Sequence, residues 1–277
     1  MSLTITRPNS LRGEILAPGD KSVSHRAVMF NALSNNGTAK ITNFSPGADC
    51  TSTVEIMRAL GVEVQREPGN DGMGDSLHIT GVGLEGLREP SDILDAGNSG
   101  TTTRLMSGIL AGREMVAILT GDDSLKTRPM GRVIKPLTDM GALITGRLKN
   151  TLAPLVFHGG EIRGSTYTMP VASAQLKSSL LLAGLRANGV TKLKQPAESR
   201  DHTERMFSAM GVTINKSGLD IEIEPCELNT IDVQVPGDIS SAAFWMVAGV
   251  CHPDSELLIK NVGINPTRSG IITALKM

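Results

Sequence analysis

The chain has 277 residues and a formal net charge of -1, with hydrophobic residues at 40% and aromatics at 3%. That length suits one large domain or two smaller ones, with a core built from Leu, Ala, Val, Ile and Met. A near-neutral charge excludes bulk attraction to nucleic acid or to a membrane surface, so any anion site must be local.

The N-terminal stretch Met1-Ser2-Leu3-Thr4-Ile5-Thr6-Arg7 has no long apolar run, and no run of eighteen apolar residues follows. Neither a leader peptide nor a membrane span is expected. The cysteines Cys50, Cys226 and Cys251 are odd in number and lack metal-ligand spacing. They read as thiols of a reducing, cytoplasmic compartment.

The first informative stretch is Pro18-Gly19-Asp20-Lys21-Ser22-Val23-Ser24-His25-Arg26. Pro-Gly breaks regular structure, and Asp20 or Ser22 is placed to cap a helix whose buried face is Ala27, Val28, Met29, Phe30 and Leu33. Lys21 and Arg26 therefore sit at a helix N-terminus. Free N–H groups, serine hydroxyls and two cations there suit an anionic ligand.

Similar turn-then-helix signals recur at Gly97-Asn98-Ser99-Gly100-Thr101, at Ala172-Ser173-Ala174-Gln175 and at Pro236-Gly237-Asp238-Ile239. From Gly19, Gly97, Ala172 and Gly237 the steps are 78, 75 and 65 residues. A second landmark lies inside each of the first three units: a helix end, a Gly and a short strand. It reads Leu60-Gly61-Val62, Met140-Gly141-Ala142 and Met210-Gly211-Val212. Leu77-His78-Ile79 and Ile221-Glu222-Ile223 add alternating strands. The pattern predicts supersecondary repeats of strand, helix, strand, helix and two strands. The fourth unit stops at Ala274-Leu275-Lys276-Met277 without its capping Gly, which reads as a fragment of a longer protein.

Helix starts in packed repeats can converge. Candidates for an anion-accepting cleft are Lys21, Ser22 and Arg26, then Gly100 and Thr101, then Ser173, Ala174 and Gln175. The loop Gly121–Met130, expected to be ordered but irregular, adds Lys126 and Arg128. The segment Glu198–Arg205 is a further helix start, with Ser199 or Asp201 as cap and Arg200 at its mouth. Arginine suits phosphate and carboxylate because its planar fork bonds two oxygens at once. None of the five histidines has metal or triad spacing; His25 and His202 alone lie where ligand could be touched, and His78, His158 and His252 read as incidental. Gly97-Asn98-Ser99-Gly100 lacks the spacing of a dinucleotide fingerprint.

These motifs, together with Lys126-Thr127-Arg128-Pro129-Met130, Ser173-Ala174-Gln175-Leu176-Lys177-Ser178 and Ser199-Arg200-Asp201-His202-Thr203-Glu204-Arg205, resemble the 5-enolpyruvylshikimate-3-phosphate synthase family along the whole chain. The resemblance implies an inside-out α/β barrel of two domains, each of three units. Residues 19–230 would be one complete domain of three repeats. Residues 1–18 with 231–277 would be an incomplete part of the other.

It also implies a cofactor-free transfer of enolpyruvyl from phosphoenolpyruvate to the 5-hydroxyl of shikimate 3-phosphate, in aromatic amino acid biosynthesis, by a protein that is monomeric when full-length. Lys21 would contact both substrates and be catalytic. Ser22, Arg26, Ser173, Ala174, Gln175, Ser199 and Arg200 would hold shikimate 3-phosphate. Gly100, Arg128 and Gln175 would line the phosphoenolpyruvate site. No metal is implied. The family's acid–base carboxylates would lie beyond Met277, so this polypeptide alone is expected not to turn over.

Two other readings compete. The sister family that acts on a UDP-linked amino sugar carries Lys-Asn where Lys21-Ser22 stands, and a Cys in the loop matching Gly121–Met130. A non-catalytic phosphate-binding module could use the same repeats.

Overall fold

The computed structural model describes residues 4, 6, 8–35, 37–70 and 73–277. Most of the stretch read above for a leader lies outside the described residues.

The chain opens with β1 (Leu11–Leu16). The first unit follows: α1 (Lys21–Ala32), β2 (Thr38–Phe44), α2 (Ala48–Ala59), β3 (Glu63–Glu67) and β4 (Asp75–Thr80). The second holds β5 (Leu94–Asp95), α3 (Gly100–Leu110), β6 (Ala117–Thr120), α4 (Asp123–Lys126), α5 (Gly131–Asp139), β7 (Ile144–Gly146), the short turn α6 (Arg147–Asn150) and β8 (Leu152–Phe157). The third has β9 (Thr166–Thr168), α7 (Ala174–Gly184), β10 (Thr191–Lys194), α8 (His202–Ala209), β11 (Ile214–Ser217) and β12 (Asp220–Ile223). Last come β13 (Val233–Gln234), α9 (Ile239–Cys251), β14 (Ser255–Lys260) and α10 (Gly270–Lys276).

Three four-stranded sheets share one connectivity. Their orders are β13-β2-β4-β3, β5-β6-β8-β7 and β9-β10-β12-β11. In each, the first pair is parallel and the other two are antiparallel. The repeat read from the sequence is thus a repeat of sheet topology. One strand breaks chain order. β13 pairs with β2, so the first unit's sheet draws on residues beyond position 230, where the sequence suggested a boundary. β1 and β14 pair parallel in a separate two-stranded sheet, from Leu11 against Ser255 to Leu16 against Lys260.

The helices α1, α3 and α7 are enclosed. From Ser24 to Ala32 every residue of α1 is buried, as is all of α3 except Thr101 and all of α7 except Gln175. A helix buried on all sides needs small and apolar residues throughout rather than one stripe. Gly108 of α3 meets the backbone of Ser179 on α7; a Cβ there would lie 2.1 Å from the Ser179 carbonyl oxygen. The sheets half-bury their strands, as the alternation in β8 and β12 shows.

The predicted cap of α1 is observed, whereas neither Ser199 nor Asp201 caps α8 through its side chain. Asp20 accepts from Val23 N–H at 2.9 Å, so it rather than Ser22 caps α1. Ser99, Ser173 and Asp238 cap α3, α7 and α9. Gly61, Gly141 and Gly211 take φ of 90°, 113° and 88°, the left-handed exits that their helix ends require. The segment Gly121–Met130, expected to be irregular, contains α4, capped by Asp122.

Asp20 N–H donates to the Pro236 carbonyl at 2.7 Å, and Asp238 N–H to that of Pro18 at 2.8 Å, so two chain crossings lie side by side. Beyond them α9 leaves Phe244 80%, Trp245 45% and Val250 63% exposed. Among the described residues no helix is long and apolar enough to cross a membrane.

Candidate functional site

The caps fix where each candidate side chain begins. Lys21, at the first position of α1, pairs with Asp49 of α2. Burial works to raise the Asp49 carboxyl, but the Lys21 hydrogen bond and charge outweigh it and hold the group below its usual value. The Asp49 carbonyl oxygen also lies 3.3 Å from Thr102 Oγ1. That places the Lys21 pair beside the start of α3.

At that start Gly100 leaves room for two guanidinium groups. A Cβ added there would lie 2.9 Å from Arg104 Nη1 and 3.3 Å from Arg128 Nη1. Arg104 Nη1 donates to Gln175 Oε1 at 2.7 Å, and Gln175 Nε2 donates to Thr101 Oγ1 at 3.0 Å. Burial, then the charges of Arg132 and Arg128, bring Arg104 down to about 10. Three arginines so close favour a counter-anion. In the α7 region, Ser173, Ala174, Gln175, Ser199, Arg200 and Arg132 line a cavity of about 420 Å³. Gln175 belongs to both groups. The Gly100–Arg128 cluster and the Ser173–Arg200 cavity therefore adjoin through Gln175 and through Arg132, which acts on Arg104 and lines the cavity.

Arg200 is exposed at the mouth of that cavity. Burial and the neighbouring Arg268 lower it, while Asp20 and Asp238 act the other way. Arg268 itself forks between Asp20 at 3.6 Å and Asp238 at 3.5 Å. Asp20 is raised, chiefly by burial.

Arg26 is placed differently from the other cations. It is 3% exposed, and its three nitrogens donate to Thr203 Oγ1 at 2.8 Å, the Ser22 carbonyl at 2.9 Å and Ser178 Oγ at 2.7 Å. It braces α1 against α7 and α8, and burial lowers it to about 10. Ser22 contributes that carbonyl. His25 is fully buried and lies away from any open surface, and His202 is partly buried on α8. Asp201 begins α8 without a side-chain cap bond. Its carboxylate takes Arg205 Nε at 2.7 Å and Asn265 Nδ2 at 2.7 Å instead.

Arg104, Arg132, Asp49 and Arg268 join the site without having been singled out from the sequence. Arg104 had a signal: it lies one turn after Gly100, on the same face of α3. Asp49 and Arg268 had none, because packing between elements brings them in. Among the described residues no cluster of His, Cys, Asp or Glu could hold a metal ion.

The model of EPSP synthase (3-phosphoshikimate 1-carboxyvinyltransferase) matches residues 5–277. The 3-phosphoshikimate 1-carboxyvinyltransferase of Desulforudis audaxviator is 53% identical over 276 residues, covering 99% of this chain and 63% of the relative. That of Bacillus anthracis is 52% identical over 269 residues, covering 97% and 61%. The solved EPSP synthase of Acinetobacter baumannii superposes with a TM-score of 0.88 at 43% identity, over 96% of this chain and 59% of that one. The chain thus spans about three fifths of the length of these relatives. Family match, identity and superposition agree with the motif order and with the three repeated sheets: the chain belongs to the EPSP synthase family.

Proposed function

We propose that this chain carries much of the substrate site of an enolpyruvyl transferase. The reaction moves the enolpyruvyl group of phosphoenolpyruvate to the 5-hydroxyl of shikimate 3-phosphate. The hydroxyl gives up its proton as its oxygen bonds to C2 and C3 takes a proton; the C2–O bond to phosphate then breaks, and loss of a C3 proton restores the double bond. One observation carries the reading: Gln175 is shared by two basic clusters, as adjoining sites for two phosphorylated substrates need. Holding two such anions side by side costs strong repulsion unless cations and helix N-termini surround them.

In this reading Gly100, Arg128 and Gln175 line the phosphoenolpyruvate site. Ser22, Arg26, Ser173, Ala174, Gln175, Ser199 and Arg200 hold shikimate 3-phosphate, Arg26 also bracing the helix starts around it. Lys21 reaches both substrates and exchanges Asp49 for them. Residues 19–230 form the three-repeat domain, to whose first sheet β13 adds an edge strand, and 1–18 with the rest of 231–277 belong to the second. The full-length protein works in a reducing cytoplasm as a monomer. The motif positions matched here include no counterpart of the acid–base carboxylates that the resemblance assigns elsewhere, so the 277-residue polypeptide binds without turning over.

Calorimetry of the 277-residue chain with shikimate 3-phosphate and with inorganic phosphate tests the site. Heat with the former alone supports it. Equal, weak heats with both would leave a generic phosphate module. Phosphate release at an enzyme's normal rate would refute the claim that this length is inactive.

A further inference from the structure

A line of hydrogen bonds runs through the interior between two of the proposed ligand-facing helix starts. His25 Nδ1 lies 2.7 Å from Thr53 Oγ1. Thr53 Oγ1 lies 2.8 Å from Thr102 Oγ1. Thr102 Oγ1 donates to Ser99 Oγ at 2.7 Å. Ser99 Oγ also accepts from Thr102 N–H, which caps α3 one residue before Gly100. His25, Thr53 and Thr102 are wholly buried and Ser99 is 1% exposed.

Direction follows from the imidazole. His25 Nε2 is buried and meets no partner among the described residues. A proton on Nδ1 lets the ring donate to Thr53, Thr53 to Thr102, and Thr102 to Ser99. All the donors then point from α1 through α2 to the cap of α3. Buried polar groups are costly unless they are bonded, and a bonded line of them imposes one geometry on what it connects. The two ends are informative. One lies a turn beyond Lys21 and the other lies against Gly100. The cavity lined by Ser173, Ser199 and Arg200 is outside the line.

We propose that His25, Thr53 and Thr102 are positioning residues that hold the first turn of α1 against the first turn of α3, and so set the spacing at which Lys21 and Gly100 meet one phosphorylated ligand. The identity of that ligand rests on the function proposed above; the coupling of the two helix starts does not.

The test uses the 277-residue chain with Thr53→Val, which keeps shape and removes the hydroxyl, and Thr53→Ser, which keeps the hydroxyl. Without ligand, amide hydrogen exchange is read at Ser24 on one side and at Thr102 and Thr103 on the other, all hydrogen-bonded amides. Thr53→Val should speed exchange about tenfold at both ends, the loss of roughly one buried hydrogen bond, and Thr53→Ser should restore it. A change confined to α2, or equal in both variants, would overturn the relay.

With ligand, the Gly100 amide resonance is titrated with phosphoenolpyruvate, and those of Ala174 and Ser199 with shikimate 3-phosphate. The valine variant should need about tenfold more phosphoenolpyruvate with under a twofold change for shikimate 3-phosphate. Midpoints shifting together would overturn the relay. A wild-type chain whose Gly100 resonance ignores phosphoenolpyruvate would instead sink the functional reading, and the exchange result would still decide the relay.

Discussion

Lys177 Nζ lies 2.6 Å from Glu204 Oε1 where the two side chains are 1% and 10% exposed. The ammonium also donates to the Ser199 carbonyl at 3.3 Å, so the pair anchors one wall of the 420 Å³ cavity to α7. Burial lowers Lys177, and Glu204 counters it. Removing one partner strands the other charge. Lys177→Met should lower stability by about 3–5 kcal/mol, and adding Glu204→Leu should recover a large part of that. Urea unfolding of the two variants checks this.

Gly100→Ala separates folding from binding. The new methyl meets the ends of two flexible arginine side chains rather than backbone. Helix propensity favours Ala by up to about 1 kcal/mol, so the melting temperature should hold or rise slightly. The displaced Arg104 and Arg128 should weaken phosphoenolpyruvate binding about tenfold or more. Melting and titration on the same preparation read both.

Gly108→Ala acts in the opposite way. Its methyl would meet the Ser179 backbone, and α3 and α7 can yield only by moving apart. A loss of about 1–3 kcal/mol or more is expected, with ligand contacts untouched in kind. Thermal unfolding of this variant beside Gly100→Ala provides the contrast.

Acid should destabilise the fold well above the carboxylate range. Burial, opposed by Asp49 and reinforced by Arg26 and Lys21, takes His25 from 6.5 down to about 3. His202 falls to about 4 by burial, with Arg26 and Arg268 adding to it. Both are depressed in the folded state, so the unfolded chain takes up their protons first. Stability is complete above about pH 6.5 and is lost as pH falls toward the folded values. His25 alone contributes a slope of about 1.4 kcal/mol per pH unit in that window. Urea midpoints from pH 7 to 4 should therefore fall steeply, and less steeply in His25→Asn.

What was legible in the sequence was local. Asp20, Ser99, Ser173 and Asp238 announce helices because a cap acts within three residues, and Gly61, Gly141 and Gly211 announce exits because only the left-handed region fits there. What was hidden is set by packing. The two-residue strand β13 has meaning only beside β2. Asp49 looks like any early helix acid until α1 sets Lys21 against it. Arg26 reads as a ligand contact from its place at a helix start, and its bonds to α7 and α8 could not be read there. Lys177 is given no role by the sequence, and burial beside Glu204 makes it an anchor.

The aromatic poverty of the chain leaves one tryptophan and one tyrosine. Trp245 stands on the outward apolar side of α9, and Tyr167 of β9 packs against the core under the third sheet. Indole emission is then a reporter for α9 alone and phenol emission for the third unit alone. The order in which these two regions loosen can be followed optically, without any label being attached.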